Sequence, residues 1–191
     1  DGTVASFKLS TLPSNGSFYS NSAGTGTALT TTDVITATSN GATIYFKPNA
    51  DWNGSTNFQY SATDNNGLVS SSTATGTITV TAVNDAPVAQ ATTASGNEDN
   101  IIAVSLSGTD IDGTVASFKL STLPSNGSFY SNSAGTGTAL TTTDVITATS
   151  NGATIYFKPN ADWNGSTNFQ YSATDNNGLV SSSTATGTIT V

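Results

Sequence analysis

Short runs in which apolar and polar residues alternate recur along the whole chain, and glycine, asparagine and proline separate them about every 8–12 residues. The clearest run is STNFQYSAT at 166–174, where Phe169, Tyr171 and Ala173 fall on one face of a strand and polar residues on the other. This period of two is typical of a strand with one buried face. No window keeps the 3.6-residue period of an amphipathic helix. The pattern therefore predicts an all-β fold.

Residues 81–191 contain one full set of these runs, which predicts seven or eight short strands, typical of an immunoglobulin-like (Ig-like) sandwich. We expect two packed sheets with Greek-key connections. The predicted strands are 87–94, 101–107, 116–123, 128–132, a short one within 144–148, 153–158, 166–174 and 181–191.

The chain contains an internal repeat: residues 1–80 and residues 112–191 are identical at every position, with an offset of 111 residues. That period is close to the roughly 100 residues of an Ig-like domain and exceeds the roughly 20–50 residues of solenoid repeats. We therefore predict a first repeat at 1–80 that lacks its N-terminal strands, a linker at 81–86, and a complete second repeat at 87–191. We also expect the chain to be part of a longer array.

The composition argues against several classes of partner and activity. The chain has 12 acidic and 4 basic residues, a net charge of −8, and neither histidine nor cysteine. Nucleic acids and anionic membranes recruit lysine and arginine, so neither is an expected partner, and no apolar run approaches the length of a membrane span. Without the commonest general base and without a thiol nucleophile, we expect no enzymatic activity.

Most of the acidic residues fall in predicted turns, which a sandwich brings to its two ends. Calcium binds six to eight oxygen atoms, from carboxylates, asparagine side chains and backbone carbonyls, so this His-free and Cys-free set suits calcium or magnesium. Turn chemistry is the alternative explanation, because Asp and Asn side chains also bond their own backbone. The acidic residues in predicted turns number ten: Asp1, Asp51, Asp64, Asp85, Glu98, Asp99, Asp110, Asp112, Asp162 and Asp175.

Two stretches, APVAQATTASGNEDNIIAVSLSGTDIDG and ADWNGSTNFQYSATDNNG, occur in that order, and the linker TAVNDAP follows the first repeat. Together they resemble the cadherin-like repeats of giant bacterial surface adhesins, especially those of the RTX type. The resemblance implies calcium between tandem domains. One joint would draw on Asp51, Asn84 and Asp85 together with Asp110, Asp112 and Asp175. Glu98 and Asp162 would serve the next joint. Ala82 stands where cadherins carry an acid, which implies fewer ions per joint.

The resemblance predicts a structural extender, located outside the cell on a bacterial surface, that projects a distal ligand-binding region for adhesion and biofilm formation. Its expected partners are calcium and the neighbouring repeats of the same chain. One alternative is that the repeat itself binds a glycan or an ice surface. Trp52 and Trp163 are candidates for sugar contact, although such a residue more commonly closes the core. Another alternative is weak self-association through unpaired strand edges.

Overall fold

A computed structural model describes residues 2–191, and Asp1, one of the ten acids predicted in turns, lies outside the described residues. The chain divides into two compact units, Asp1–Val83 (unit 1) and Asn84–Val191 (unit 2). Both consist of strands joined by turns, which confirms the all-β prediction. Within the described part of the chain, no helix has the length and apolar character needed to cross a membrane.

Unit 2 is a sandwich of two sheets. Its strands are β7 (Val88–Gln90), β8 (Thr92–Ser95), β9 (Ile102–Thr109), β10 (Val115–Thr122), β11 (Gly127–Tyr130), β12 (Val145–Thr147), β13 (Gly152–Pro159), β14 (Ser166–Asp175) and β15 (Ala185–Thr190). The five-stranded sheet has the order β12-β10-β14-β15-β8, and the four-stranded sheet has the order β11-β13-β9-β7.

The core of unit 2 lies between these sheets and follows the alternation seen in the sequence. In β9, Ile102, Val104 and Leu106 are buried while the residues between them face solvent. In β14, the predicted face of Phe169, Tyr171 and Ala173 is fully buried. Burying an aliphatic or aromatic side chain of this size stabilises a fold by roughly 1.5–3 kcal/mol. The interleaved apolar faces therefore hold the two sheets together.

The stretch predicted as one strand at 87–94 is divided in the structure. Residues 88–90 pair antiparallel with β9, whereas residues 92–95 pair parallel with β15 in the opposite sheet. Ala91 lies between the two strands, so the chain passes there from one sheet to the other. The apolar pattern alone could not separate the two pairings, because both give alternate residues to the core.

Unit 1 contains the strands that correspond to β10–β15 of unit 2. They are β1 (Val4–Thr11), β2 (Gly16–Tyr19), β3 (Val34–Thr36), β4 (Tyr45–Pro48), β5 (Gly54–Asp64) and β6 (Ala74–Val80). They form a four-stranded sheet with the order β3-β1-β5-β6 and a two-stranded sheet of β2 and β4.

One identical segment adopts two different structures in the two units. The sequence GATIYFKP forms an eight-residue strand at 152–159, because β9 pairs with residues 152–157. At 41–48 the same letters form only the four-residue β4, which pairs with β2 alone. The extent of this strand is thus decided by its partner strand and not by its own sequence.

Candidate functional site

Asp175 closes β14 and anchors one end of unit 2. It is 2% exposed, and its Oδ1 accepts hydrogen bonds from the backbone N–H groups of Asn177 at 2.9 Å and Leu179 at 2.7 Å. Its Oδ2 accepts a hydrogen bond from the side chain of Asn84 at 2.6 Å. Asn177 donates to the Oδ1 of Asn84, so the segment that enters unit 2 is fixed to the turn after β14.

These bonds determine the ionisation of Asp175. Burial raises the pKa of this carboxyl, but the hydrogen bond from Asn84 and those from the backbone of Leu179, Asn177 and Gly178 favour the charged form and outweigh it. The pKa of Asp175 consequently lies below its ordinary value of 3.8. At neutral pH the carboxyl of Asp175 is therefore ionised, and the Asn84 side chain and the backbone N–H groups of the turn hold it in place.

The lowered pKa of Asp175 predicts a loss of stability in acid. A carboxyl whose pKa is lower in the folded state than in the unfolded state, where it is about 3.9, stabilises the fold at pH values above that unfolded-state pKa. This stabilisation is lost as the pH falls through the folded-state pKa. The free energy of unfolding of unit 2 should therefore decrease as the pH falls below about 4. In denaturation curves across that range, Asp175→Asn should flatten this dependence. Equal slopes for the parent and for Asp175→Asn would contradict the prediction.

Asp110 follows β9 directly and is the least compensated acid at this end. Neither of its carboxylate oxygens reaches solvent or has a hydrogen-bond partner within the described residues. A Cβ atom added to Gly113 would lie 2.9 Å from Oδ2 of Asp110 and 2.6 Å from Oδ1 of Asn176. Glycine at 113 therefore lets two acceptor oxygens approach the same stretch of backbone. A buried charge without a partner is costly unless a proton or a cation neutralises it.

Asp112 and Asp85 complete this group of side chains. The Asp112 carboxylate accepts a hydrogen bond from the Asp85 backbone N–H, with distances of 3.4 Å and 3.3 Å to its two oxygens. Asp112 is exposed, whereas Asp85 is half-buried. The structure thus brings together five of the residues predicted to bind metal, with one further asparagine beside them. We call this set the linker-end cluster: Asn84, Asp85, Asp110, Asp112, Asp175 and Asn176.

A second group of polar residues lies at the opposite end of unit 2. Strand β14 ends at Asp175 and begins after the turn at 160–165, so this turn lies at the other end of the strand. Here the Asp162 N–H donates to Oδ1 of Asp99 at 3.1 Å, and the Asn164 side chain donates to Oε2 of Glu98 at 3.4 Å. The ten residues of β14 separate the two ends by roughly 30 Å. We call Glu98, Asp99, Asp162 and Asn164 the distal cluster.

Asp51 is the remaining predicted ligand, and it lies in unit 1 in the turn between β4 and β5. Its φ of 59° matches the φ of 57° at Asp162, the same position in unit 2. Asp and Asn adopt this left-handed conformation more readily than most residues. The turn geometry therefore accounts for an acid at both positions without any ligand.

The ligand set inferred from the sequence omitted three residues that the fold places in the clusters: Asp99, Asn164 and Asn176. Each belongs to a turn already recognised as acidic or polar, GNEDN, DWNG or DNNG. They could have been predicted by including every polar residue of each turn, because the amide oxygens of a turn lie beside its carboxylates.

Unit 1 provides a control for the turn-chemistry explanation. Asp64, the counterpart of Asp175, caps the same turn with bonds to the backbone of Asn66 at 2.9 Å and Leu68 at 2.8 Å. Among the described residues it has no contact like the one that Asn84 makes with Asp175, and it is only half-buried. Turn capping therefore forms without the linker, while burial and the third contact of Asp175 depend on the linker.

The acids of the linker-end cluster do not form a closed metal cage. Within residues 2–191, no group of three or more acidic side chains is arranged to hold a metal ion. The cluster also contains amide oxygens of Asn84 and Asn176, which are suitable calcium ligands. Asp112 is exposed, and its carboxylate makes only the two long hydrogen bonds to the Asp85 N–H.

The two-sheet architecture of unit 2, with its buried alternating faces, defines an Ig-like β-sandwich, and unit 1 repeats most of it. The family model described as Bacterial Ig domain matches residues 2–81 and 84–191. The chain belongs to this bacterial Ig domain family. The match confirms the predicted sandwich, while the narrower assignment to cadherin-like RTX repeats stays a prediction.

Two solved structures are similar to the chain at low sequence identity. Domains 4 and 5 of the S-layer protein SbsC match with 12% identity and a TM-score of 0.37, covering 93% of this chain and 70% of that one. The SGBP-B protein of the Bacteroides ovatus mixed-linkage glucan utilization locus, in complex with a heptasaccharide, matches with 13% identity and a TM-score of 0.20. That match covers 99% of this chain and 38% of the other. No curated protein sequence matches the chain.

Proposed function

We propose that the chain is a structural extender from a large bacterial surface adhesin, of the cadherin-like kind, in which calcium stiffens the ends of each repeat. Two repeats identical over 80 residues contribute equal increments of length, whereas distinct ligands would require distinct surfaces. In a tandem array, stability is approximately the sum of the units and their nearest-neighbour terms. A cation at the end of each unit would therefore control the stiffness of the whole array.

The observation that carries the proposal is the Asp110 carboxylate, whose two oxygens have neither solvent nor a hydrogen-bond donor among the described residues. It lies beside an amide oxygen of Asn176, in a cluster that also holds Asp112 and Asp175. A calcium ion would neutralise this charge, and rotation of the exposed Asp112 would add a ligand. Extracellular calcium is millimolar, which suits sites with dissociation constants of about 10⁻⁴–10⁻³ M.

Location on the cell surface and a role in adhesion and biofilms are parts of the same proposal. Both are consistent with membership of a bacterial Ig domain family. The role is structural rather than catalytic, and its partners are calcium and neighbouring repeats.

The alternative in which the repeat itself binds a glycan has less support from the geometry. A groove of about 620 Å³ in unit 2 is lined by residues such as Leu106, Leu140 and Ile146, and its lining includes no aromatic ring among the described residues. Trp163, the candidate for sugar contact, packs against the hydrophobic core. Sugar recognition by stacking needs an exposed ring, which this groove does not offer.

Thermal unfolding in excess EDTA and in 10 mM calcium, with magnesium as a control, tests the proposal. At ten to one hundred times the dissociation constant, calcium should stabilise unit 2 by about 1.4–2.7 kcal/mol, which raises its midpoint by several degrees. Asp110→Asn should abolish this response. It should also leave the protein at least as stable as the parent in EDTA, because it removes an uncompensated charge.

The matched control is Asp144→Asn, which removes the same charge from an exposed turn of unit 2 where Thr141 bonds the carboxylate. This variant should respond to calcium as the parent does. If calcium leaves the midpoint of the parent unchanged, the acids are turn residues only and the stiffened-array proposal fails.

A further inference from the structure

Hydrogen bonding divides the carboxylates of the linker-end cluster into two kinds. Both oxygens of Asp175 are occupied, since Oδ1 accepts hydrogen bonds from two backbone N–H groups of its own turn and Oδ2 accepts one from the Asn84 side chain. Both oxygens of Asp110 are buried and have no hydrogen-bond partner among residues 2–191. The carboxylate of Asp175 is thus already compensated, whereas that of Asp110 would be strongly stabilised by a cation beside it.

The amide oxygen of Asn176 lies beside the unpaired carboxylate. A Cβ atom on Gly113 would lie 2.9 Å from Oδ2 of Asp110 and 2.6 Å from Oδ1 of Asn176, so the two oxygens approach the same point. This amide oxygen accepts a hydrogen bond from the Thr114 N–H at 2.8 Å, and the Thr114 hydroxyl is more distant, at 3.4 Å. A carbonyl oxygen has two lone pairs, so it can bind a cation in place of the weaker hydroxyl contact.

Asp112 supplies a second carboxylate at the same turn. It is exposed, and its oxygens make only the long hydrogen bonds to the Asp85 N–H, at 3.4 Å and 3.3 Å. Bonds of this length are weak, so a metal ion can replace them at little cost. Two carboxylates and an amide are oxygen ligands of the kind that calcium prefers, with backbone carbonyls and water completing its shell. Such a set needs only two acids, which agrees with the absence, within the described residues, of three acids arranged around one ion.

The residues of this set all belong to one unit. Unit 2 begins at Asn84, so the linker residues Asn84 and Asp85 are part of it. Asp51, which the cadherin resemblance assigns to the same joint, belongs to unit 1. It is exposed, and its left-handed turn conformation, with a φ of 59°, accounts for its presence there.

We propose that unit 2 binds the cation with its own side chains and without Asp51. Three side chains hold the ion: Asp110, Asp112 and Asn176. Asn84 and Asp175 are positioning residues, because their mutual hydrogen bond holds the turn that carries the amide ligand. This inference rests on the proposed binding of calcium, and it adds that the ion belongs to a single unit rather than to a pair.

Calorimetric titration of the full 191-residue chain with calcium chloride tests whether the site is contained in unit 2. The binding to be followed is the part that Asp110→Asn removes. For this binding, Asp112→Asn should raise the Kd by on the order of tenfold or more, because it removes a charged ligand. The matched variant Asp51→Asn removes the same charge from unit 1 and should leave the Kd unchanged, and asparagine tolerates the conformation found at 51.

Luminescence of bound Eu³⁺, a hard cation that takes the same oxygen ligands, separates ligands from positioning residues. Coordinated water shortens the lifetime through its O–H vibrations, so lifetimes in H₂O and D₂O report the number of waters on the ion. Asp112→Ala should add coordinated water, because it vacates a position on the metal. Asn84→Ala should weaken calcium binding by about 10–100-fold without adding water, since the ligands themselves remain. Denaturation curves verify that unit 2 is folded in each variant.

The outcomes distinguish this inference from the function on which it rests. Absence of calcium binding by the parent chain would refute both. Calcium binding that Asp51→Asn weakens by tenfold would refute only the containment of the site in unit 2, and the calcium-stiffened array would stand. Binding that persists unchanged in Asp110→Asn, or added water in Asn84→Ala, would overturn the assignment of ligands.

Discussion

A second copy of residues 81–111 placed directly ahead of residue 1 is expected to raise the free energy of unfolding of unit 1 by on the order of 5 kcal/mol. The added segment would supply the counterparts of Ile102, Val104 and Leu106, which are 4%, 0% and 1% exposed in unit 2. Each such side chain contributes roughly 1.5–3 kcal/mol when it is buried.

Chemical denaturation followed by tryptophan fluorescence measures this effect. Trp52 and Trp163 report on the two units separately, so each signal is isolated by replacing the other tryptophan with phenylalanine. We expect the transition of unit 1 to move up to that of unit 2, since the two units would then have the same sequence. A matched insert with aspartate at the positions of Val104 and Leu106 should leave unit 1 unchanged. The prediction is wrong if the complete insert also leaves unit 1 unchanged.

The substitution Ile155→Ala should destabilise unit 2 by about 2–5 kcal/mol, while Ile44→Ala should cost unit 1 less than about half as much. The two residues stand at equivalent positions in identical local sequence. Ile155 is 1% exposed and pairs across the sheet with Val104. Ile44 is half-buried and lines an open apolar groove of about 330 Å³ in unit 1. Truncation at 155 leaves a cavity in a closed core, but truncation at 44 only widens a groove that water already reaches.

The measurement is again a denaturation curve for each variant, with the same pair of tryptophan reporters. Val145→Ala and Val34→Ala form an exposed control pair, at 69% exposure in each unit, and both should change stability by less than about 0.5 kcal/mol. Equal costs at 155 and 44 would mean that the groove of unit 1 is as well packed as the core of unit 2.

The strands that could be predicted well are those whose two faces differ strongly. In β14, three large apolar residues alternate with Asn168, Gln170 and Ser172, so only one orientation buries the apolar face. The division of 88–95 into β7 and β8 could not be predicted, because it depends on two pairings with distant strands, β9 and β15. The alternation of apolar and polar residues along the chain is the same whichever sheet the strand joins.

The candidate site shows the same limit. The acids of TDIDG and VNDAP are predicted to meet the turn after β14, and within unit 2 they lie together with Asp175. The sequence could not indicate that Asp110 would lose both solvent and hydrogen-bond donors while Asp112 stays exposed. Two acids separated by one residue differ in this way only because the chain turns between them. Metal binding at this cluster remains a prediction.

Three features of this chain follow from the identity of its two repeats and from the two-residue period of apolar positions: that it repeats, that it is built of strands, and which residues of each strand face a core. Which of the identical residues are buried depends instead on pairing between strands that are distant in sequence. Ile44 and Ile155, or Tyr60 and Tyr171, share every neighbour in sequence within their repeats and differ in exposure. The difference arises because a strand distant in sequence, β9, covers one copy, and burial is a property of the partners that a residue meets rather than of the residue.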